Sequence, residues 1–292
     1  MLDVLLPFYG DPALMRLAVE SVLHQSVAPD RLIVVDDCYP DPAAEAWLRG
    51  LDHPHVTYVR NDDNLGANAN YRKALELSRA EYVVFMGADD LMLPDFVERT
   101  LHLVTRFDRP DVVQGGVGVI DGLGSRHQPL VDRVKEWFRP RTDGPHEISG
   151  EAAVVSLLRG NWTYFPSLVW RRAAIAGIGF RQGFDVVQDL ALLVDLLTVG
   201  GRMVVDDRQT FEYRRHDGSD SSVRAGTGTR FDEEARYFDL IGRELREHGW
   251  GEASRAARLH VTSRLHAGSK VPAAARSMDW AGVARAVGHA LG

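Results

Sequence analysis

The sequence holds a single cysteine, Cys38, so no internal disulfide can form and no cysteine pair offers a zinc site. That usage fits a reducing compartment and gives the expectation of a cytoplasmic protein. No stretch approaches 18 apolar residues, so no membrane span is expected. The start, Met1-Leu2-Asp3-Val4, lacks the basic region and apolar run of a secretory leader. Positive charge is also short. The formal net charge is −7 over 292 residues, and binding nucleic acid through its backbone needs a basic face. Nucleic acid is therefore not an expected partner. Three familiar motifs are missing. There is no GxxxxGK(S/T) phosphate loop and no GxSxG nucleophile elbow. Gly115-Gly116-Val117-Gly118 does not complete GxGxxG, because Asp121 stands where the last glycine belongs.

What is present is a regular alternation. Leu2–Pro7 reads as a buried strand, and Asp11-Pro12 opens a helix with an aspartate cap and proline in the first turn. Leu14, Leu17, Ala18, Ser21 and Val22 form its inward stripe. Further strands are expected at Arg31–Asp36, His55–Val59, Tyr82–Met86, Asp111–Val113 and Val117–Ile120. Helices are expected at Pro42–Leu51, Ala67–Ser78 and Pro94–Arg106. Strand–helix–strand succession means parallel strands with crossover helices, and such sheets bind ligands at the carboxyl ends of their strands. The loops Phe8–Asp11, Asp36–Asp41 and Gly87–Leu91 should then share one rim. Ser125–Gly150, polar and rich in arginine and proline, reads as a long connection. A second half follows with Gly150–Arg159, Asp189–Val199, Arg202–Val205 and Thr210–Arg215. From Phe231 the pattern is helical, over Phe231–His248, Glu252–His266 and a last segment to Leu291, with Gly226–Gly228 as a hinge.

Two carboxylate pairs fall on the expected rim: Asp36-Asp37 after the second strand and Asp89-Asp90 after the fourth. Neighbouring carboxylates repel unless something positive or hydrogen-bonding lies between them. Hard oxygen ligands with room for water suit magnesium or manganese. The plainer alternative is that aspartates at strand ends cap turns.

These segments resemble family 2 of the glycosyltransferases, with the GT-A fold. LLPFYGD is similar to that family's first strand and donor loop, and RLIVVDDCYPD to its second strand with the nucleotide-reading DD. RNDDNLGANANYRKAL is similar to the segment after the third strand, and YVVFMGADDLMLPDF to the DxD metal region. SLVWRRAAIAGIGF, VQDLALLVDLLTVG and YRRHDGSDS are similar to the acceptor side. The resemblance covers roughly residues 2–222. It implies a mixed Rossmann-like α/β sheet over 1–224, divided into a nucleotide-sugar half (1–122) and an acceptor half (123–224); the helical extension over 225–292 lies outside the resemblance and is read from its pattern alone. It implies inverting transfer of a sugar from a nucleotide-diphosphate donor, UDP by default with GDP and dTDP open, to an acceptor hydroxyl. Pro7 and Tyr9 would line the nucleotide pocket, Asp37 with Asp36 would meet the base, and Asn64, Asn68 and Arg72 would lie near the nucleotide. Asp89 and Asp90 would bind a divalent Mn2+ or Mg2+, and Asp189 would be the catalytic base. His216 is a further metal candidate against the reading of a plain surface or core histidine. Arg214 and Arg215 are alternatives for neutralising the diphosphate. The chain departs from the pattern at Gly87, where the family has its first DxD carboxylate, and at Gln188, where it has glutamate.

Some readings stay open. Asp189 is also placed to act as a helix cap. Trp162, Tyr164 and Phe165 suit either a sugar platform or plain core. A nucleotidyltransferase would want a glycine-rich, lysine-bearing loop after the first strand, where this chain has Pro7-Phe8-Tyr9-Gly10. An inactive sugar-nucleotide-binding scaffold is the other alternative, encouraged by Gly87. Acceptors in view are a glycan, a lipid-linked sugar, a protein or a natural product. The tail carries Arg230, Arg236, Arg243, Arg246, Arg255, Arg258, Arg264, Lys270, Arg276 and Arg285 beside Phe238, Ile241, Leu245, Leu259 and Leu265 at helical spacing. A helical pair packed on the catalytic domain is the preferred reading. It would serve stability or homo-oligomerisation, and the alternative is a docking surface for an anionic membrane or an acceptor-bearing partner.

Overall fold

The computed structural model describes residues 1–141, 143–215, 229–264, 267–268 and 287–288. The first half alternates as expected: β1 (Leu2–Phe8), α1 (Pro12–Leu23), β2 (Arg31–Asp36), α2 (Pro42–Gly50), β3 (Val56–Arg60), α3 (Ala67–Leu77), β4 (Tyr82–Phe85), the short β5 (Leu91–Met92), α4 (Phe96–Arg106) and β6 (Val112–Ile120). The second half is α5 (Leu130–Phe138), β7 (His146–Ser149), α6 (Gly150–Gly160), β8 (Leu168–Arg171), α7 (Arg172–Ile178), α8 (Gln188–Thr198), β9 (Arg202–Arg214), α9 (Thr229–Glu247) and α10 (Gly251–Leu259).

All nine strands join one sheet in the order β3-β2-β1-β4-β8-β6-β9-β5, with β7 also on β9. β1, β2, β3 and β4 are mutually parallel, as the crossover helices require. β8 enters antiparallel between β4 and β6, so the sheet is mixed. Because β1, β2 and β4 run the same way, the loops after them do share one rim. The residues of β1 alternate between two cores: Leu2, Val4, Leu6 and Phe8 pack with α1, α2 and α4, whereas Leu5 faces α3, α6 and α8. A strand covered on both faces reads as a continuous apolar run.

Three expectations change, one of them the pair of strands Asp111–Val113 and Val117–Ile120, which is the single strand β6. The polar stretch Ser125–Gly150 is not a bare connection, since it holds α5 and β7. The pieces Arg202–Val205 and Thr210–Arg215 are one strand, β9. Its register against β6 shifts at Gln114, Gly116 and Val117, which lets the strand end in a twisted ribbon. The glycine run 115–118 is explained there: a side chain at Gly116 would stand 2.5 Å from the Asp207 carbonyl. Gly116 allows close backbone approach, Gly115 and Gly118 make room for the Thr210 and Gln209 side chains, and no phosphate loop is formed.

The tail is knitted into the same core. Tyr237, Phe238, Ile241 and Leu245 of α9 are buried with α6 and α8. The α10 N-terminus, which opens after Trp250, takes its cap from Glu151 of α6, whose carboxylate accepts from the Glu252 and Ala253 amides at 2.7 and 3.0 Å. No helix among the described residues is long and apolar enough to cross a membrane. Deleting the chain from Thr229 onward should therefore remove four large buried side chains, each contributing about 1.5–3 kcal/mol, and expose the apolar surface of α6 and α8 that they cover. The expected result is loss of soluble protein on expression. A truncated chain with an unchanged melting temperature would show that the helices are dispensable for stability.

Candidate active site

Asp36, fully buried at the end of β2, accepts from the Tyr39 amide at 2.7 Å, the Tyr58 hydroxyl at 2.6 Å and Arg60 at 2.7 Å. Burial, and next the bond to this carboxylate, push the Tyr58 hydroxyl well above the ordinary tyrosine range. Asp37 accepts from Asn61 Nδ2 at 2.7 Å and from the Leu65 and Gly66 amides at 2.8 Å each. Asn61 Nδ2 also lies 3.1 Å from Asn70 Oδ1, and Asn70 donates to the Val35 carbonyl at 2.9 Å. The two aspartates therefore build the rim loops: each carboxylate already accepts three hydrogen bonds, leaving it about one lone pair for a ligand. Between them and α2, Cys38 is held in a left-handed conformation (φ 59°) that few non-glycine residues adopt. Pro7 is half-buried at the end of β1, and Tyr9 is exposed, edge-on to Tyr39 at 5.4 Å between ring centres.

Asn64 and Asn68 flank the start of α3. Asn64 Oδ1 accepts from the Gly66 amide at 3.0 Å, and Arg72 is exposed one turn further on. Asn68 donates to Asp185, 117 residues away. That bond joins the first turn of α3 to the turn that leads into α8 and Asp189.

Asp189 lies in the first turn of α8, and its Oδ1 accepts from the Leu190 amide at 2.8 Å. The N-cap position belongs to Val187, so Asp189 is not the cap residue. The positive end of the helix favours its ionised form.

Asp90 is fully buried. Its Oδ1 accepts from the Arg214 amide at 2.8 Å, while Oδ2 has no hydrogen-bond partner. Burial first, then the charge of Asp89, raise its pKa well above the ordinary aspartate value, and Arg214 opposes them. Gly87 accounts for the arrangement. A Cβ there would stand 2.5 Å from Asp90 Oδ2 and 2.9 Å from Asp89 Oδ1, so the two oxygens converge where the family's first DxD side chain would begin. An orphaned buried oxygen beside a second carboxylate fits a hard divalent cation. Among the described residues no group of three or more His, Cys, Asp or Glu side chains is placed to hold a metal, so the remaining ligands would be diphosphate oxygens and water. His216 lies outside the described residues.

The two arginine alternatives have structural partners. Arg214 Nε donates to the Asp89 carbonyl at 2.7 Å and Nη1 to the Asp121 carbonyl at 3.1 Å, which fixes the Asp89-Asp90 turn. Arg215 donates to Asp132 at 2.8 Å, and Tyr164 donates to the same oxygen at 3.0 Å. Trp162 is buried and Phe165 stacks on Phe85 at 5.5 Å, so both belong to the core. Tyr164 instead borders a polar cavity of about 720 Å³ between α5 and the β6–β9 ribbon. Trp137, 77% exposed, stands on the wall of that cavity. Sequence reasoning passed over it because α5 sits in a stretch with the composition of a linker.

Comparisons with known proteins bear on the fold and the family. The family model described as Glycosyl transferase family 2 matches residues 3–157, just over half the chain. The succinoglycan biosynthesis protein ExoO of Rhizobium meliloti is 25% identical over 211 residues, 70% of this chain and 58% of that one. A putative colanic acid biosynthesis glycosyl transferase, WcaA of Escherichia coli, is 30% identical over 110 residues, 36% of this chain and 39% of that one. Among solved structures, S. aureus TarS in complex with UDP-GlcNAc superposes with a TM-score of 0.61 at 14% identity, covering 97% of this chain and 89% of that one. The chain belongs to glycosyltransferase family 2, and it is a glycosyltransferase enzyme with the GT-A fold.

Proposed function

We propose that the protein transfers a sugar from a UDP-linked donor to an acceptor hydroxyl with inversion, with Asp189 as general base. The observation that carries this reading is the Asn68–Asp185 bond, which ties the nucleotide-side loop to the turn presenting Asp189. Asp189 takes the proton of the acceptor hydroxyl as its oxygen bonds to the anomeric carbon. The bond from that carbon to the β-phosphate oxygen breaks, and UDP departs with the electron pair. Asp89 and Asp90 would hold Mn2+ or Mg2+, which when bound supplies positive charge to the leaving diphosphate. Tyr9, Pro7 and the remaining acceptor capacity of Asp37 would receive the base, with Asn64 and Arg72 near the nucleotide. TarS crystallised with UDP-GlcNAc supports the choice of donor. The cavity beside Trp137 is the proposed seat of the acceptor. The succinoglycan and colanic acid names of relatives favour a polysaccharide, free or lipid-linked, over a protein or small natural product. Action in the cytoplasm is part of the same proposal.

The test is melting temperature with UDP, GDP or dTDP, each with Mn2+ and with chelator. At a hundredfold excess over Kd a ligand adds about 2.7 kcal/mol. Domains of 150–250 residues gain roughly 2–4 °C per kcal/mol, so UDP with Mn2+ should raise the midpoint by about 5 °C or more. Equal, null shifts for all three nucleotides at millimolar concentration would defeat the donor assignment.

A further inference from the structure

The turn that presents Asp189 is held from a helix beyond the residues the family model matches. α8 starts after Val187, a side chain with no acceptor, and no local side chain caps that end. The amides just ahead of the helix nevertheless need acceptors. Glu233 of α9 provides one. Its Oε1 accepts from the Val186 amide at 2.5 Å and the Val187 amide at 3.1 Å, and the residue is only 8% exposed. The helix carrying it is firmly anchored. Tyr237, Phe238 and Ile241 are buried in the core shared with α8. Arg181 clamps the two helices further along, donating to Asp195 of α8 at 2.6 and 2.7 Å and to Glu244 of α9 at 2.7 and 3.1 Å. On the other side of the turn, Asp185 accepts from Asn68. The segment from Asp185 to Asp189 is thus gripped between the nucleotide-side helix and the C-terminal helix.

We propose that Glu233 is a positioning residue for the transfer reaction: it fixes the backbone two residues ahead of Asp189, so that the base meets the acceptor hydroxyl without reorganising. This rests on the reading of Asp189 as the base. A misplacement of about 1 Å can cost on the order of a hundredfold in rate, so the loss should appear in kcat and leave donor affinity alone. The grip needs one acceptor oxygen at that reach and no net charge.

Four variants of the full chain test it, with UDP-GlcNAc as the probe and UDP release as the readout. Glu233→Ala is expected to lower kcat about 10- to 100-fold with KM for UDP-GlcNAc within about threefold. Glu233→Gln retains a carbonyl oxygen at the same reach and should restore kcat to within about threefold. Where Glu233→Ala yields no soluble protein, Glu233→Asp, which withdraws the carboxylate by one methylene, carries the same expectation of loss. Asp189→Asn is run beside them. If Asp189→Asn is inactive yet Glu233→Ala turns over at the wild-type rate, the Glu233 proposal alone falls. If Asp189→Asn keeps wild-type turnover, the base reading falls and the proposal with it. Hydrogen exchange gives a readout independent of turnover. Amides over 184–190 should exchange faster in Glu233→Ala and recover in Glu233→Gln, and unchanged exchange there overturns the proposal.

Discussion

Asp189→Asn is expected to stop sugar transfer while leaving UDP binding within about twofold of wild type. The substitution keeps an Oδ1 that accepts from the Leu190 amide, so the first turn of α8 has no reason to unwind. Glu233 holds the Val186 and Val187 amides just ahead of the helix, and the exchange leaves that contact in place. What it does remove is proton affinity, because an amide cannot take the proton of the acceptor hydroxyl. General-base catalysis typically contributes about 10²–10⁴-fold, so kcat should fall by at least a hundredfold, about 2.7 kcal/mol of barrier. Calorimetry with UDP and a coupled UDP-release assay would read the two halves separately. A variant within tenfold of wild-type kcat would mean that the principal base is another group. A variant that loses UDP binding as well would mean that the Asp185–Asp189 turn shapes the nucleotide pocket.

The parts of this site that were legible in the sequence are those fixed by local pattern. Both-face apolar runs such as RLIVVD and YVVF specify central parallel strands, and parallel strands place Asp36-Asp37 and Asp89-Asp90 on one rim. The parts that were not legible depend on how the chain folds back on itself, near or far. Gly87 looked like a lost ligand, yet the space its side chain would fill is taken by the Asp89 and Asp90 carboxylates, which only the folded turn reveals. Val187 carries no capping signal, because its cap comes from Glu233, 46 residues later. Arg214, a candidate for the diphosphate, instead donates to the Asp89 and Asp121 carbonyls. Its charge was visible in the sequence, but the carbonyls it satisfies were not. Trp137 was hidden by the linker-like composition around α5. For Val187 and Arg214 the deciding partner lies far along the chain, where periodicity and spacing carry no information.

Asp90→Asn should make the metal-free protein more stable and at the same time poorer at binding Mn2+ and UDP. Asp90 is fully buried, its Oδ2 has no partner, and Asp89 lies beside it. A buried polar atom left unsatisfied costs about 1–3 kcal/mol. In the variant, Oδ1 still accepts from the Arg214 amide, and the new amide group faces the Asp89 carboxylate as a donor where two acceptors had met. The pH dependence follows from the direction of the shift. The folded chain holds the Asp90 proton more tightly than the unfolded chain does, so as pH rises the unfolded chain loses it first. Wild-type stability therefore falls as pH climbs from the ordinary aspartate range toward the raised folded value, and the penalty is complete above it. The advantage of the variant, measured by thermal melts in chelator, should be small near pH 4 and largest at neutral pH and above. There it should amount to a few degrees, at roughly 2–4 °C per kcal/mol for domains of 150–250 residues. The order should reverse when Mn2+ and UDP are added together, because binding at an intact carboxylate pair raises the wild-type midpoint by mass action. A variant that melts below wild type in chelator at neutral pH would show that the Asp90 carboxylate stabilises the turn as it stands. A variant that binds Mn2+ and UDP as tightly as wild type would remove Asp90 from the metal site.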